Sequence, residues 1–403
     1  MALVAGIDWA SEEHAVCLVD EEGRRRVERR FRHDEQGVGA LCRLLIVRAV
    51  ERVALERPDG LLVDRLLEAG IVVVAIHPNQ VKAARERYAV AGGKSDGFDA
   101  YVLAELARTD MHRLRLLQPD GDETKALRAL VRVREDLVDT RVALANQLRA
   151  QLDAFWPGAA AIFAEVDSPI GLAFLERYPS PSDARSLGEK RLAGFLARHR
   201  YCGRRPPREL LARLRTAPAG RASELELEAR RTAVLALVAA LRPLVEQVGL
   251  LTSQIAGALR THPDGELFRS LFQDPKAVVT AASLLAEIGD CRARYPSPDA
   301  LAADAGMSAV AVESGKRKNA SFRRACDKRL RKAVATLADA SRHRHPWAAD
   351  VYQRARARGC DHPHALRILG RAWLRILWRM WQEQAPYDPA RHGNLQRFLA
   401  TTG

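Results

Sequence analysis

The chain has 403 residues, and 64 Lys and Arg against 50 Asp and Glu give a formal net charge of +14. That length predicts two or three domains, and 47% apolar residues are enough for real cores. The basic balance points to nucleic acid as the partner, although an arginine-rich composition alone leaves the same imprint. No run of eighteen apolar residues occurs and the chain starts directly on a strand, so neither a membrane span nor a leader segment is expected. Six scattered cysteines without a CxxC pair fit reduced thiols, and a cytoplasmic location is expected.

Taken in order, residues 3–9, 14–20 and 25–32 alternate as strands and predict an antiparallel meander. Residues 35–49 carry Val38, Leu41, Leu44 and Leu45 on one helical face. Val53–Glu56 reads as a short buried strand, broken by Arg57-Pro58-Asp59-Gly60, and a helix follows to about Glu68. The continuous apolar run 71–76 reads as a central parallel strand. A helix over 79–88, the loop Gly92-Gly93-Lys94 and a helix from Asp96 to about Arg108 complete the unit. Three antiparallel strands followed by two parallel ones with helices describe a ribonuclease H-like fold.

Four acids stand out in that frame. Asp8 and Glu56 close predicted strands, and Asp96 and Asp99 share one face at the start of a helix that Ser95 caps. For each acid alone, a cap or a surface charge is the simpler account. In a ribonuclease H-like fold the first strand lies beside the fourth, so Asp8 and Glu56 converge and the Asp96 helix can close over them. Four carboxylates at one end of a sheet suit Mg²⁺, which takes oxygen ligands. Two such ions about 3.5–4 Å apart would serve phosphodiester chemistry.

Residues 122–156 predict a long helix with Leu127, Leu130, Leu137, Leu144, Leu148, Leu152 and Phe155 as its stripe. The stretch 157–222 is rich in Pro, Gly, Ser and Arg and reads as a variable helical insertion. Residues 224–260 carry a heptad seam of Val234, Val238, Leu241, Val245, Val248, Thr252, Ile255 and Leu259, with a kink expected at Pro243. The two long helices either pair within the chain or build a dimer. A compact helical domain follows, with helices over 278–288, 328–341 and 363–384, the last placing Trp373, Leu377 and Trp381 in its core. From Lys316 to Lys332 nine Lys or Arg face one acid, Asp327. A solvated face is the usual account of such a run. Here its density and Gly315 favour phosphate contact, with Lys316, Arg317, Lys318, Arg323, Arg324 and Lys328 as the candidates.

Two distant signatures resemble one family. The first is Gly6-Ile7-Asp8-Trp9-Ala10-Ser11, Glu56-Arg57-Pro58-Asp59-Gly60, His77-Pro78-Asn79 and Lys94-Ser95-Asp96-Gly97-Phe98-Asp99-Ala100. The second is Leu284-Leu285-Ala286-Glu287-Ile288-Gly289-Asp290, then Ala305-Gly306 and Ser314-Gly315-Lys316. Together they look like the DEDD-type insertion-sequence transposases of the IS110 family and the related Piv-type DNA invertases. The resemblance covers roughly residues 1–150 and 262–388 and skips the middle. Two positions depart from the family pattern: Ala309 stands where a proline is usual, and the turn before the Val278 helix is Asp274-Pro275.

The resemblance implies a RuvC-like domain over 1–115, a coiled-coil and variable helical insertion over 116–261, a transposase domain over 262–388 and a tail over 389–403. It implies that Asp8, Glu56, Asp96 and Asp99 bind metal and that Ser314 is a nucleophile attacking DNA. It further implies donor and target DNA, a bridge RNA that pairs with both, and a homo-oligomer that reaches a tetramer. Two other readings share these residues. One is a site-specific invertase or junction-resolving nuclease, the latter using water in place of Ser314. The other is a non-catalytic nucleic-acid-binding protein left by a decayed element.

Overall fold

The computed structural model describes residues 2–56, 58–88, 95–114, 116–218, 220, 222–272, 274, 276–314 and 317–402, of which 313, 314, 317–319 and 402 are described by backbone alone. The chain forms two compact units, one of residues 1–121 with 291–296, the other of 122–290 with 297–403.

The first unit is built on a sheet of five strands: β1 (Leu3–Asp8), β2 (Glu13–Val19), β3 (Arg25–Arg32), β4 (Val50–Leu55) and β5 (Val73–Ala75). Their order is β3-β2-β1-β4-β5, which sets the first strand beside the fourth as expected. The meander β1–β3 is antiparallel, and β4 and β5 join parallel to β1. Helices α1 (Glu35–Val47) and α2 (Leu61–Glu68) cover one face, where Ile7, Leu18, Leu41, Leu55 and Leu66 are buried. Helices α3 (Pro78–Tyr88) and α4 (Asp96–Thr109) cover the other, over Val4, Cys17, Ala54 and Val74. One expectation is corrected. The run 71–76 supplies an edge strand, not a central one. Its continuous apolarity has another cause: Leu116 and Leu117 lie along its outer side, with Val74 bridged to Leu116 and the Leu117 amide donating to the Val73 carbonyl at 2.7 Å.

Among the described residues, the regular elements of the second unit are helices and one hairpin. Helices α5 (Asp122–Phe155) and α10 (Glu224–Thr261) run antiparallel: Thr124 bonds His262, Arg134 bonds Thr252, and Arg230 bonds Gln151. The seam of α10 buries Val234, Val238, Leu241, Val248, Ile255 and Leu259 within this unit, so the pairing is intramolecular. Pro243 lies inside α10 without interrupting it. By length and composition α10 alone among the described helices would reach across a bilayer.

Between the long helices come α6 (Pro157–Ala161), α7 (Pro169–Arg177), α8 (Glu189–Arg198) and α9 (Pro207–Thr216). They are more than a polar insertion. Phe155, Trp156, Phe163, Phe174, Phe195 and Leu210 join Val234 and Leu241 in a single core at that end of the pair. The chain continues through α11 (Gly265–Arg269), α12 (Val278–Ile288), α13 (Pro298–Asp304), α14 (Lys328–Ser341), α15 (Pro346–Ala357), α16 (His362–Glu383) and α17 (Gly393–Thr402). Helix α12 packs on both α5 and α10, so the middle and C-terminal helices share one compact unit where the sequence divides them at 261/262. Trp373, Leu377 and Trp381 are buried as the α16 spacing predicts. Before α14 stands the antiparallel hairpin β6 (Val310–Ser314) and β7 (Arg317–Ser321).

Candidate functional site

The placement of the acids follows from backbone register and one glycine. Ile7 pairs with Leu55 in the parallel β1–β4 ladder, so Asp8 and Glu56 leave the sheet side by side. A Cβ at Gly6 would lie 2.0 Å from the Ala100 carbonyl oxygen and 2.4 Å from the Ala104 nitrogen. Only glycine therefore allows α4 to lie directly across β1. Ser95 caps α4, its hydroxyl accepting from the Phe98 amide at 3.2 Å. The first turn then carries Asp96 and Asp99 over the end of β1, where carboxylates also suit the helix dipole.

The electrostatics record that convergence. Burial first, then the charges of Asp99, Asp96 and Glu56, push the Asp8 carboxyl up to about 6, against an opposing pull from Arg85. Arg85 of α3 is the residue that reading for acids missed. Its Nε and Nη2 donate to the two Asp99 oxygens at 2.5 and 2.8 Å, and Nη2 stands 3.8 Å from Glu56 Oε1. Asp99 is only 3% exposed. Asp96 lies open, with Arg30 of β3 at 3.4 Å. Among the described residues no three Asp, Glu, His or Cys side chains stand close enough to hold one ion. The four acids thus share one end of the sheet in an arginine-held arrangement. In chemistry the donor set fits a hard divalent cation: four carboxylates, no sulfur or imidazole among them, with Asp8 driven toward protonation by burial and then by its neighbours' charge.

Ser314 ends β6, its backbone paired with Arg317 across the two-residue connection of Gly315 and Lys316. Lys316 lies outside the described residues, as do Gly92-Gly93-Lys94, Arg57 and Pro275; the side chains of Ser314, Arg317 and Lys318 are likewise not described. The sequence signal for the hairpin is present: Val310 and Val312 alternate, and a glycine stands three residues after Val312. Ala311, Val312, Ala320 and Ser321 are exposed, so the hairpin projects from its unit. Its base is fixed by Phe322, which lies between the guanidinium groups of Arg331 at 4.6 Å and Arg367 at 4.8 Å. Of the neighbouring serines, Ser308 Oγ is enclosed and finds no hydrogen-bond partner, whereas Ser321 is exposed.

The basic run divides in two. Arg324 and Lys328 are exposed, and Arg323 donates to the Ser308 carbonyl at 3.3 Å. Arg329 and Lys332 instead tie α14 to α5, through Glu135 and Asp136 for the first and Glu135 and Asp139 for the second. Those two cations are structural. The first part of the second signature, residues 284–290, is structural too. Glu287, 5% exposed, pairs with Arg132 of α5 at 2.7 Å; the Thr124 hydroxyl donates to Asp290 at 2.8 Å; and Arg128 donates to the Ala286 carbonyl at 2.6 Å. The end of α12 is a latch onto α5.

Comparison with known proteins places the chain among transposases. A model of the DEDD transposases of IS110 type matches residues 5–157, and one of the IS116/IS110/IS902 transposase family matches 277–353. A Streptomyces coelicolor protein named for the mini-circle transposase of IS117 is 31% identical over 97% of this chain and 96% of its own length. The 42 kDa protein of insertion element IS900 from Mycobacterium paratuberculosis is 27% identical over 96% and 97%. Among solved structures, T. thermophilus RuvC in complex with Holliday junction substrate aligns to 29% of this chain and all of its own, at 22% identity and a TM-score of 0.24. The chain belongs to the IS110 family of transposases.

Proposed function

We propose that the protein is a DNA recombinase that excises and inserts a mobile element, with Asp8, Glu56, Asp96 and Asp99 as its metal-binding acids and Ser314 as its nucleophile. The observation that carries the reading is the convergence of those four acids at one end of the sheet, in a chain of transposase family. When bound, Mg²⁺, as one ion or two, would supply Lewis-acid stabilisation of charge on the attacked phosphate. The residues that would hold it are the four acids.

Ser314 Oγ forms a new P–O bond to the scissile phosphate as the bond to one deoxyribose oxygen breaks. That leaves a phosphoserine link and a free sugar hydroxyl. Attack by a sugar hydroxyl on the phosphoserine reverses the exchange and regenerates the serine. One phosphodiester replaces another, so the cycle needs no external energy source. The hairpin suits this role because it stands clear of its unit, with Arg324 and Lys328 exposed nearby to meet backbone phosphates. Donor and target DNA are the substrates, a bridge RNA pairing with both is the guide, and a tetramer is the working assembly.

The test is a trapped reaction on a suicide DNA substrate, followed by protease digestion and mass spectrometry. Wild-type protein is expected to carry a nucleotide on the Ser314 peptide. Ser314→Ala is expected to bind DNA normally and give neither adduct nor recombination, and Asp8→Ala or Asp99→Ala to cut nothing while staying folded. An adduct on Ser321, or recombination by Ser314→Ala, refutes the nucleophile. Free DNA ends without any adduct in wild type would assign the same acids to a hydrolytic junction nuclease.

A further inference from the structure

The acidic site already holds a cation. Arg85 presents its fork to Asp99 so that both carboxylate oxygens are engaged, at 2.5 and 2.8 Å. This is the strong, bidentate form of the arginine–carboxylate pair. The same guanidinium lies 3.8 Å from Glu56 and is the one group whose charge opposes the repulsion of Asp96, Asp99 and Glu56 at Asp8. It therefore stands against two of the carboxylates, Asp99 and Glu56, that the metal-site reading assigns as ligands. It also explains why acids brought to one end of the sheet form no ready cluster of ligands.

The attachment of α3 to α4 does not need this pair. Val81 is fully buried there, and the Tyr88 and Tyr101 rings meet edge to face at 5.9 Å. A guanidinium stays charged throughout the accessible pH range, so it leaves only by being outcompeted, never by losing a proton.

Resting on the metal-site reading above, we propose that Arg85 is the resident counter-cation of the acidic site, occupying Asp99 in the metal-free chain and displaced when divalent metal loads. Arg85 then sets the metal concentration at which the site fills. An alternative role, Arg85 as an organiser that holds Asp99 in position for metal, predicts the opposite sign when it is removed.

The test is a calorimetric titration of full-length protein with Mn²⁺ at fixed ionic strength, comparing wild type, Arg85→Ala, Arg85→Lys and Asp99→Asn. Loss of the competing fork is expected to tighten Mn²⁺ binding by Arg85→Ala about tenfold, the scale of one exchanged charge-assisted hydrogen bond. Arg85→Lys keeps the charge but not the fork and is expected to fall between the two. Thermal unfolding supplies a second readout. Without metal, Arg85→Ala is expected to melt below wild type, and with saturating Mn²⁺ the gap is expected to close. Where Arg85→Ala does not fold, Arg85→Lys alone decides by the sign of its change. Binding equal to or weaker than wild type in the folded variants overturns the counter-cation. Wild-type binding that Asp99→Asn leaves unchanged, or no binding in any variant, overturns the metal site itself.

Discussion

Gly6→Ala tests how the acidic site is assembled, because it touches none of the acids. The added methyl would sit 2.0 Å from the Ala100 oxygen and 2.4 Å from the Ala104 nitrogen. Both obstacles are backbone of α4, so no rotamer change relieves them. Ordinary contact requires α4 to retreat by about 1.5 Å. Ala100, Leu103, Ala104 and Ala107, all fully buried, would lose contact with the sheet together. Overpacking of this kind costs about 1–3 kcal/mol. The reduced freedom of the unfolded chain returns about 0.4–1 kcal/mol. A net loss of about 1.3 kcal/mol is expected, lowering the melting point of the first unit by about 5 °C. The same retreat carries Asp96 and Asp99 away from Asp8, so Mn²⁺ affinity and DNA cleavage are expected to fall more than stability does. Calorimetric melting, Mn²⁺ titration and a cleavage assay read the three effects. Unchanged melting with normal cleavage would refute the claim that Gly6 sets the helix over the strand.

Two further predictions concern the second unit. Arg132→Ala leaves the Glu287 carboxylate buried and uncompensated, and a loss of about 3 kcal/mol is expected in urea unfolding; Glu287→Gln in the same background is expected to recover part of it, and no recovery refutes the latch. His392 is held down to about 4 by burial and by His345, and its ring lies 4.4 Å from Trp347. Its folded value is below the ordinary 6.5, so its contribution to stability is complete above about pH 6.5 and is lost as pH falls toward 4, where the unfolded chain takes up the proton first. Urea midpoints read by tryptophan fluorescence are expected to drop between pH 7 and pH 5, and His392→Gln is expected to flatten that drop; an equal slope in the variant removes His392 as its source.

Much of the first unit was legible because its signals are local. Alternation predicts β1 to β3, Ser95 caps α4 as its position implies, and strand ends carry Asp8 and Glu56. What was not legible depended on tertiary neighbours. The run 71–76 is apolar whether a strand is central or merely covered, and only Leu116 and Leu117 reveal which. Residues 157–222 look polar in composition, yet Phe163, Phe174 and Phe195 are spaced too irregularly for a single period and meet only once four short helices fold together.

Charge partners were the least legible of all. The position of an acid at a strand end is set by backbone register, which a sequence carries openly. The position of the arginine that faces it is set by a long, rotatable side chain on another element. Nothing in the spacing of Arg85 or Arg30 distinguishes them from the many other arginines of this chain. The same reasoning divides the run from Lys316 to Lys332. Its charge density suggested one phosphate-binding surface, but Arg329 and Lys332 face acids of α5 at about one-turn intervals and are spent on packing. Among the described side chains of that run, Arg324 and Lys328 remain exposed and outside these ion pairs, so the charge the run offers to solvent is narrower than its sequence implies. Salt dependence of DNA binding should accordingly respond to Arg324 and Lys328 and not to Lys332, whose replacement acts through the α5–α14 contact instead.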